Sequence, residues 1–550
     1  MKTRYLLSVA LLGLLAGSCT DLDVDVKSYY TEYPNSEIAL EAKTADAYFA
    51  FRGALGRRFD EGNSMNSDEY TGVSFDGDYY NNGDCANFSL HTINYDNCKN
   101  MLNVYNDIMS GITRCNPLII EFGGDDAAAS APLRAVRAFY HFLLMDHWGD
   151  TPILDHPLEE GEAVDRSPRA EVAKWIEQEL LAVRDKCPEA VSASTYGKPT
   201  RWMVDALLAK LYINWPVYTK DVTSASWAYG ENEKLNDCIA ACDRLIQSGH
   251  FALAGGDENP NRGGKSDFKK KFFYDNGPQI KDFIYAMPFD AITQTGLTYA
   301  RFRTWRRGQN GNGLYSVEMT KSVGGNFALT PEFAALFNLP GDRRNDCIVG
   351  DGNAETFDVY QYDANTGEKT SVRNTYKDEA VTFTRSITLK EGAESAELNC
   401  GADMKGWCQG YRSIKFFPNI TQYNEYDRNQ SNDVPIFRFA DVLLMKAEAI
   451  VRGGSATNGD TPQSLFNQIR SYAGAPTLSA TPTLQDILDE RGREFLDEHW
   501  RRNDLIRFGD FERPWGFKTQ YGSNDPKMRL WPLSIDVLNN NTNWKQNPGY

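Results

Sequence analysis

The sequence predicts a predominantly α-helical protein, in which helix pairs form a scaffold and a long loop-rich insert carries short β-strands. Apolar residues recur at helical spacing over about residues 36–249 and again over about 434–509. Between them, over about residues 250–433, this rhythm stops and Gly, Asn, Asp and aromatic residues dominate. The chain has 550 residues, 41% of them hydrophobic, so it is long enough to bury a large core.

The helical segments follow one another in pairs, which indicates a stack of helical hairpins. No regular period of about 34 residues is visible, so periodicity alone predicts no particular repeat. Gly249 is a natural C-terminal stop for the sixth segment. The apolar stripes predict helices over residues 36–59, 101–119, 133–147, 172–183, 204–215, 235–245, 436–450 and 462–472.

The insert contains two strand-like runs, DFIYAMP at 282–288 and a second run at 380–388. The remainder has no regular pattern. Long irregular segments on a rigid helical scaffold are where binding residues tend to lie. We therefore expect the insert to contribute to a binding surface.

The stretch 483–509, TLQDILDERGREFLDEHWRRNDLIRFG, places acids and arginines three and four residues apart beside an apolar stripe. Taken alone, this pattern is typical of a surface helix with ordinary salt bridges. Glu490 and Glu494 lie on one face among arginines, which lower the pKa of a carboxyl, whereas a glycosidase acid needs a raised pKa. We interpret both as members of structural ion pairs.

Three C-terminal motifs resemble those of the SusD/RagB family of Bacteroidetes surface lipoproteins and occur in the same order. They are VPIFRFADVLLMKAEAIVRGG at 434–454, ERGREFLDEHWRRNDLIRFG at 490–509 and LWPLSIDVLNNNTNWKQNPGY at 530–550. The resemblance implies four tetratricopeptide-like helix pairs packed into a right-handed scaffold. It also implies one SusD-like domain over residues 36–550, with the insert as its binding part.

The N-terminus predicts a signal peptide over residues 1–18, with a charged start and an apolar run shorter than the roughly 20 residues of a transmembrane helix. Small residues precede Cys19 and resemble a lipobox, although Ala16 stands where Leu is usual. We expect Cys19 to be lipidated and residues 19–35 to form a tether, which would anchor the protein to the outer membrane at the cell surface. A plain secretory signal is the alternative.

Charge and cysteine content exclude several classes of protein. The 58 basic and 75 acidic residues give a formal net charge of −17, which argues against nucleic acid as a partner. The chain has no Cys-x-x-Cys, His-Glu-x-x-His or Gly-x-Ser-x-Gly motif, so no metalloprotease or hydrolase site is indicated. Disulfides between Cys400 and Cys408 or between Cys85 and Cys98 are possible pairings that the sequence leaves open.

The segment DGDYYNNGD at 76–84 gathers oxygen ligands and is the one candidate for calcium, through Asp76, Asp78 and Asp84. It fails the EF-hand pattern at its fifth position, Tyr80, so a solvated turn is the favoured interpretation. We expect no other cofactor.

Two stretches combine aromatic rings with polar side chains, as a sugar site requires for stacking and for hydrogen bonds to hydroxyl groups. They are FDGDYYNN at 75–82 and YARFRTWRRGQN at 299–310. In the family that the chain resembles, the ligand surface is built from these same two regions. The candidate ligand-binding residues are Tyr79, Tyr80, Asn81, Asn82, Tyr299, Arg301, Trp305 and Asn310. Packing of the aromatic residues within the insert core is the alternative.

The resemblance therefore implies a lipid-anchored surface protein that binds oligosaccharides and delivers them to a SusC-like TonB-dependent transporter. It implies no enzymatic activity. A RagB-like lid for peptides is the first alternative. A glycoside hydrolase is the second, and it would need a carboxylate pair in an aromatic cleft away from arginine.

Overall fold

The computed structural model describes residues 37–77, 83–253, 267–298, 326–349 and 419–550. Between 356 and 416 it describes residues 356–358, 360–362, 369–372, 375–376, 379–380, 382–393, 397–402, 406 and 408–416. The chain divides into two compact units, residues 1–45 and 46–550. In the first unit, the described residues are helical. All contacts below belong to the second unit.

Helices account for most of the regular structure, as the sequence predicts. Their first group comprises α1 (Glu37–Tyr48), α2 (Arg52–Gly56), α3 (Arg58–Met65), α4 (Asp84–Ser89), α5 (Lys99–Leu102), α6 (Val104–Glu121), α7 (Ala131–Trp148), α8 (Arg169–Val183), α9 (Arg201–Ile213), α10 (Trp215–Thr219) and α11 (Leu235–Gln247). The second group comprises α12 (Asp267–Lys270), α13 (Pro331–Ala334), α14 (Ile420–Glu425), α15 (Phe439–Val451), α16 (Pro462–Ala473), α17 (Leu484–Phe495), α18 (Arg501–Phe508), α19 (Lys518–Tyr521) and α20 (Ile535–Asn540).

The long helices pack on their neighbours in chain order. Helix α6 packs on α7, α7 on α8, α9 on α11, α11 on α15, and α15 on α16 and α17. The central helix α7 is buried from Leu133 to Trp148, and its apolar side chains lie in the main core. The predicted stack of helix pairs is confirmed. No described helix is both long and apolar enough to cross a membrane.

Local capping signals explain where the last helices begin. The Thr461 side chain accepts a hydrogen bond from the Ser464 N–H, and the Thr483 side chain accepts one from the Asp486 N–H. In both cases the side chain of the third helical residue accepts a hydrogen bond from the backbone N–H of the threonine. Helix α16 ends at Gly474, which takes a left-handed conformation with φ of 77°. These two helix starts follow directly from the sequence.

The strands of the described part of the chain are short. They are β1 (Tyr70–Gly72), β2 (Phe283–Met287), β3 (Phe327–Leu329), β4 (Ile348–Val349), β5 (Thr356–Asp358), β6 (Tyr360–Tyr362), β7 (Lys369–Val372), β8 (Thr375–Tyr376), β9 (Glu379–Ala380), β10 (Thr382–Thr384), β11 (Arg412–Ser413) and β12 (Val434–Arg438). They form antiparallel two-stranded ladders: β1–β3, β2–β12, β4–β11, β5–β10, β6–β7 and β8–β9.

Three boundary predictions are wrong. The helix expected over 36–59 is broken into α1, α2 and α3. Ile436 does not begin a helix, because residues 434–438 form strand β12 on β2, and α15 starts only at Phe439. The stretch 483–509 is two helices separated by a turn in which Asp497 and His499 have positive φ.

The stretch 483–509 is also not a surface element. Glu490, Arg491, Glu494 and Arg507 are all fully buried. Each faces an opposite charge, as burial requires, and several of these partners lie far away in the chain. Arg344 of the insert, for example, lies 2.7 Å from Glu490 and 3.2 Å from Glu494. The interpretation as structural ion pairs is confirmed, and these pairs join insert to scaffold.

The cysteines of the described residues are buried, and Cys98 and Cys400 are free thiols. Neither of the two candidate disulfides is therefore formed. Burial raises the pKa of the Cys400 thiol to about 12, which keeps it protonated.

Candidate ligand-binding site

The ladder β1–β3 pairs two chain segments that border the regions predicted from the sequence to bind ligand. Strand β1 leads towards residues 78–82, and β3 follows residues 299–325. The register pairs Tyr70 with Leu329 and Gly72 with Phe327. Beyond the ladder, the Val73 N–H donates to the Asn326 carbonyl at 2.9 Å, and the Asn326 amide donates back to the Val73 carbonyl at 3.0 Å. The chain segments that border the two regions are therefore paired with each other.

The segment 289–298, which leads into residue 299, is held by hydrogen bonds at several points. The Phe289 N–H donates to the Asp433 carboxylate at 2.8 Å, and the Gly296 N–H donates to the Asn429 side chain at 3.0 Å. Arg52 donates to the Pro288 carbonyl at 3.0 Å. A β-carbon on Gly56 would lie 2.4 Å from the Gly296 carbonyl oxygen, so the segment lies directly on helix α2.

An open cleft of about 320 Å³ lies beside the residues that precede 78–82. This volume falls at the lower end of the roughly 300–1,000 Å³ of ligand pockets. The backbone of Ser74 pairs with that of 398–400, since the Ser74 N–H donates to the Leu398 carbonyl at 3.1 Å and the Cys400 N–H donates to the Ser74 carbonyl at 2.9 Å. The lining includes Asp76, Thr388, Lys390, Cys400, Gly401 and Gln409.

Asp76 is the charged centre of this cleft. Its carboxylate accepts hydrogen bonds from the Lys390 ammonium at 2.7 Å, from the Asn399 amide at 3.1 Å and from the Ala402 N–H at 3.2 Å. The Lys390 hydrogen bond, followed by that from Asn399, lowers the pKa of Asp76. The cleft therefore presents a carboxylate, an ammonium and an amide together, which suits a ligand rich in hydroxyl groups.

The calcium hypothesis receives no support from the described residues. Asp76 is surrounded by hydrogen-bond donors, including the Lys390 ammonium, which would repel a cation. Asp84 is buried, and burial raises its pKa to about 7 despite the nearby Arg58. No group of three or more His, Cys, Asp or Glu side chains in the described ranges is arranged to hold a metal ion. Asp78 lies outside those ranges.

The predicted ligand-binding residues themselves lie outside the described residues: Tyr79, Tyr80, Asn81, Asn82, Tyr299, Arg301, Trp305 and Asn310, together with Cys19. The structure adds further candidate residues in and beside the Asp76 cleft that the sequence analysis missed, namely Thr388, Lys390, Asn399 and Gln409. Lys390 lies 314 residues from Asp76 in the chain, so no motif spacing could connect them.

The glutamates considered for glycosidase chemistry are fully committed to ion pairs. Glu490 lies within 3.1 Å of Arg344, Arg470 and Arg493, and its neighbouring arginines, Arg344 first, keep its pKa low against the effect of burial. Glu494 accepts from Arg438 at 2.8 Å. A carboxylate that is completely buried among arginines is unsuited to protonating a glycosidic oxygen.

Comparison with known proteins agrees with the helical fold. Residues 281–550 match the SusD family, and residues 24–213 match a family described as "Starch-binding associating with outer membrane". The starch-binding protein SusD of Bacteroides thetaiotaomicron is 23% identical over 447 residues, which are 76% of this chain and 72% of that protein. SusD-like protein P38 of Formosa agariphila is 31% identical over 146 residues, 24% of this chain and 28% of that protein.

Solved structures with the same fold include a laminarin binding SusD-like protein, with a TM-score of 0.65 and 21% identity over 94% of this chain and 100% of that one. Surface glycan-binding protein A from Bacteroides thetaiotaomicron in complex with laminarihexaose has a TM-score of 0.63 and 17% identity over 93% of this chain and 99% of that one. These structures define the class of the fold as SusD-like, with a tetratricopeptide-like arrangement of helices.

The chain belongs to the SusD/RagB family. Members of this family are binding proteins rather than enzymes. The resemblance of the three C-terminal motifs is thereby confirmed, as is the prediction that the chain is not an enzyme.

Proposed function

We propose that the protein is a lipid-anchored, cell-surface glycan-binding protein, which captures oligosaccharides and delivers them to a SusC-like TonB-dependent transporter. The ligand surface in this proposal comprises the aromatic segments at 78–82 and 299–310 and the cleft around Asp76. The single observation that carries it is the β1–β3 ladder, because it pairs the strands that border both segments in the chain.

The chemistry of recognition follows from the residue types. Tyr80 and Trp305 would stack on the apolar faces of sugar rings, and Asn and Arg side chains would bind hydroxyl groups. In the cleft, Lys390 and Asn399 are donors placed beside the Asp76 carboxylate. The names of related proteins, which include starch and laminarin among their ligands, support β- and α-glucans as the first compounds to examine.

The family description includes association with the outer membrane, which supports the proposed location. Lipidation of Cys19 and the tether at 19–35 would provide the attachment. We propose one SusD-like domain after this tether, with residues 434–509 and 36–249 as scaffold and residues 250–433 as insert.

Binding should be measured by calorimetry with laminarihexaose, maltohexaose and a set of peptides. The proposal is supported if a glycan binds saturably and the Lys390→Met substitution weakens that binding. Binding only to peptides would favour a RagB-like peptide lid, and release of shortened products from any glycan would contradict a purely binding role. Lys99→Met is a suitable control, because Lys99 pairs with Asp536 at 3.1 Å on the surface.

A further inference from the structure

Buried carboxyl groups of the described residues differ in what they face. Some face cations: Asp441, for example, lies 2.6 Å from Lys210 and 2.8 Å from Arg491, which keep its pKa low although it is buried. Glu69 and Asp433 are equally buried, and neither forms an ion pair in the described part of the chain. Both contact chain segments that border the proposed ligand surface in sequence, the β1–β3 ladder and residues 289–298, and we call these segments its base.

Glu69 precedes strand β1, and its carbonyl accepts the Thr330 N–H just beyond β3 at 3.0 Å. Neither of its carboxyl oxygens has a hydrogen-bond partner among the described residues. The charged groups with the largest effect on it are three acids, Asp497, Asp60 and Asp68, and the cation Arg501. Arg501 is already bound to Asp68 at 2.7 Å and 2.8 Å. Burial, followed by the Asp497 charge, raises the pKa of Glu69 well above its usual value.

Asp433 holds the start of the segment 289–298 through the Phe289 N–H. The groups that face it are Arg52, Asp290 and the Tyr196 hydroxyl. Arg52 directs its hydrogen bonds to the Pro288 carbonyl and the Gln294 side chain instead. Burial raises the pKa of Asp433 to about 7, against the opposing effects of the Phe289 N–H, Tyr196 and Arg52.

We propose that Glu69 and Asp433 are uncharged carboxylic acids in the folded protein, and that the base of the ligand surface is therefore weakened when the surroundings become alkaline. Ionising either group would place an unpaired charge inside the protein, which is costly. The consequence for ligand affinity rests on the proposed function, whereas the protonation state does not.

The direction of the effect follows from linkage. The folded-state pKa of each group is raised, so its contribution to stability is present below the unfolded pKa, 4.5 for Glu69 and 3.8 for Asp433, and is lost as pH rises towards the folded pKa. Isosteric amides at these positions should remove this loss. Opposite behaviour is expected of scaffold carboxylates such as Asp441, whose pKa is lowered.

The test is thermal unfolding of the full chain between about pH 5 and pH 8. Glu69→Gln should raise the Tm by several degrees over the parent near pH 8 and by much less near pH 5, and Asp433→Asn should do the same more weakly. Glu171→Gln, on the exposed surface of α8, is the matched control and should show a constant small difference. The infrared band of protonated carboxyl groups at neutral pH should lose intensity in Glu69→Gln.

A difference in Tm that does not change with pH, an unfolded Glu69→Gln protein, or an unchanged infrared band overturns the proposal. Calcium added near pH 8 provides a further test. If it raises the Tm of the parent and Glu69→Gln abolishes that rise, the proposal is overturned, because a cation would then replace the proton. Affinity for laminarihexaose should fall several-fold from about pH 6 to pH 8 in the parent and remain level in the double variant. Absence of binding at every pH contradicts the proposed ligand alone, and the Tm and infrared results still decide the protonation.

Discussion

Arg438 provides the most informative test of how the insert is held on the scaffold. It is the last residue of strand β12 and is buried. Its guanidinium donates to Asp282 at 2.6 Å, to Glu494 at 2.8 Å and to Glu498 at 2.7 Å and 2.9 Å. Arg438→Met keeps the apolar stem and removes the charge that these carboxylates share.

The expected loss of stability follows from the ion pairs that each carboxylate retains in the Arg438→Met variant. Asp282 retains Lys271 at 2.6 Å, Glu494 retains Arg344 at 3.2 Å and Glu498 retains Lys415 at 2.5 Å. All of these groups are buried, and removing one partner of a buried ion pair costs about 3–5 kcal/mol. We therefore expect Arg438→Met to lower the free energy of unfolding by about 3–5 kcal/mol at neutral pH.

The assay is urea unfolding followed by tryptophan fluorescence, with Lys99→Met as the control. The Lys99–Asp536 pair is 51% and 36% exposed, so its loss should cost about 0–1 kcal/mol. The pKa of Asp282 is lowered to about 2 by Lys271 first and then Arg438. The stability that Asp282 contributes is present above its unfolded pKa of 3.8 and is lost as pH falls towards about 2. The difference in free energy of unfolding between parent and variant should therefore become smaller at low pH. Equal losses in Arg438→Met and Lys99→Met would refute this reasoning.

Three further predictions concern the ligand surface and the anchor. Trp305→Ala should weaken glycan binding about tenfold to a hundredfold, because roughly 1.5–3 kcal/mol of stacking is lost. The Tm should change little, and a sharp drop in Tm in thermal unfolding would instead identify Trp305 as a core residue. Gly56→Ala should cost about 1–3 kcal/mol in urea unfolding because its β-carbon would overlap the Gly296 carbonyl, whereas Gly53→Ala in the same helix meets nothing within 4 Å and should be tolerated. Cys19→Ala should release the protein from membranes in detergent-phase partitioning, and retention there would exclude lipidation as the anchor.

Local signals in the sequence were sufficient for most helices. A periodic apolar stripe and a capping residue act within one or two turns, so Thr461 and Thr483 could be identified without any tertiary information. The strand at 283–287 was also predicted. Ile436 was assigned to the wrong element because a short apolar run suits either a helix or a strand, and only its pairing with β2 decides between them.

Burial of charge was not predictable in the same way. Acids and arginines at helical spacing look alike on a solvated face and in a buried network, because the sequence shows neither the covering layer nor the distant partner. Arg344 and Glu494 are 150 residues apart in the chain and 3.2 Å apart in the fold. The ion pairs could be inferred from Glu490 and Glu494, but their burial required the fold.

The sequence by itself determined the helical class, the family motifs, the signal peptide prediction and the two aromatic segments proposed to bind ligand, because each depends on residues close together in the chain. Only the tertiary structure decided that the strands bordering these segments in the chain pair as β1–β3 and that Asp76 meets Lys390 and Asn399 in a cleft. Which carboxyls face cations and which, like Glu69, face other acids was decided there too. Contacts of this kind depend on how distant segments are packed, and no local pattern encodes them.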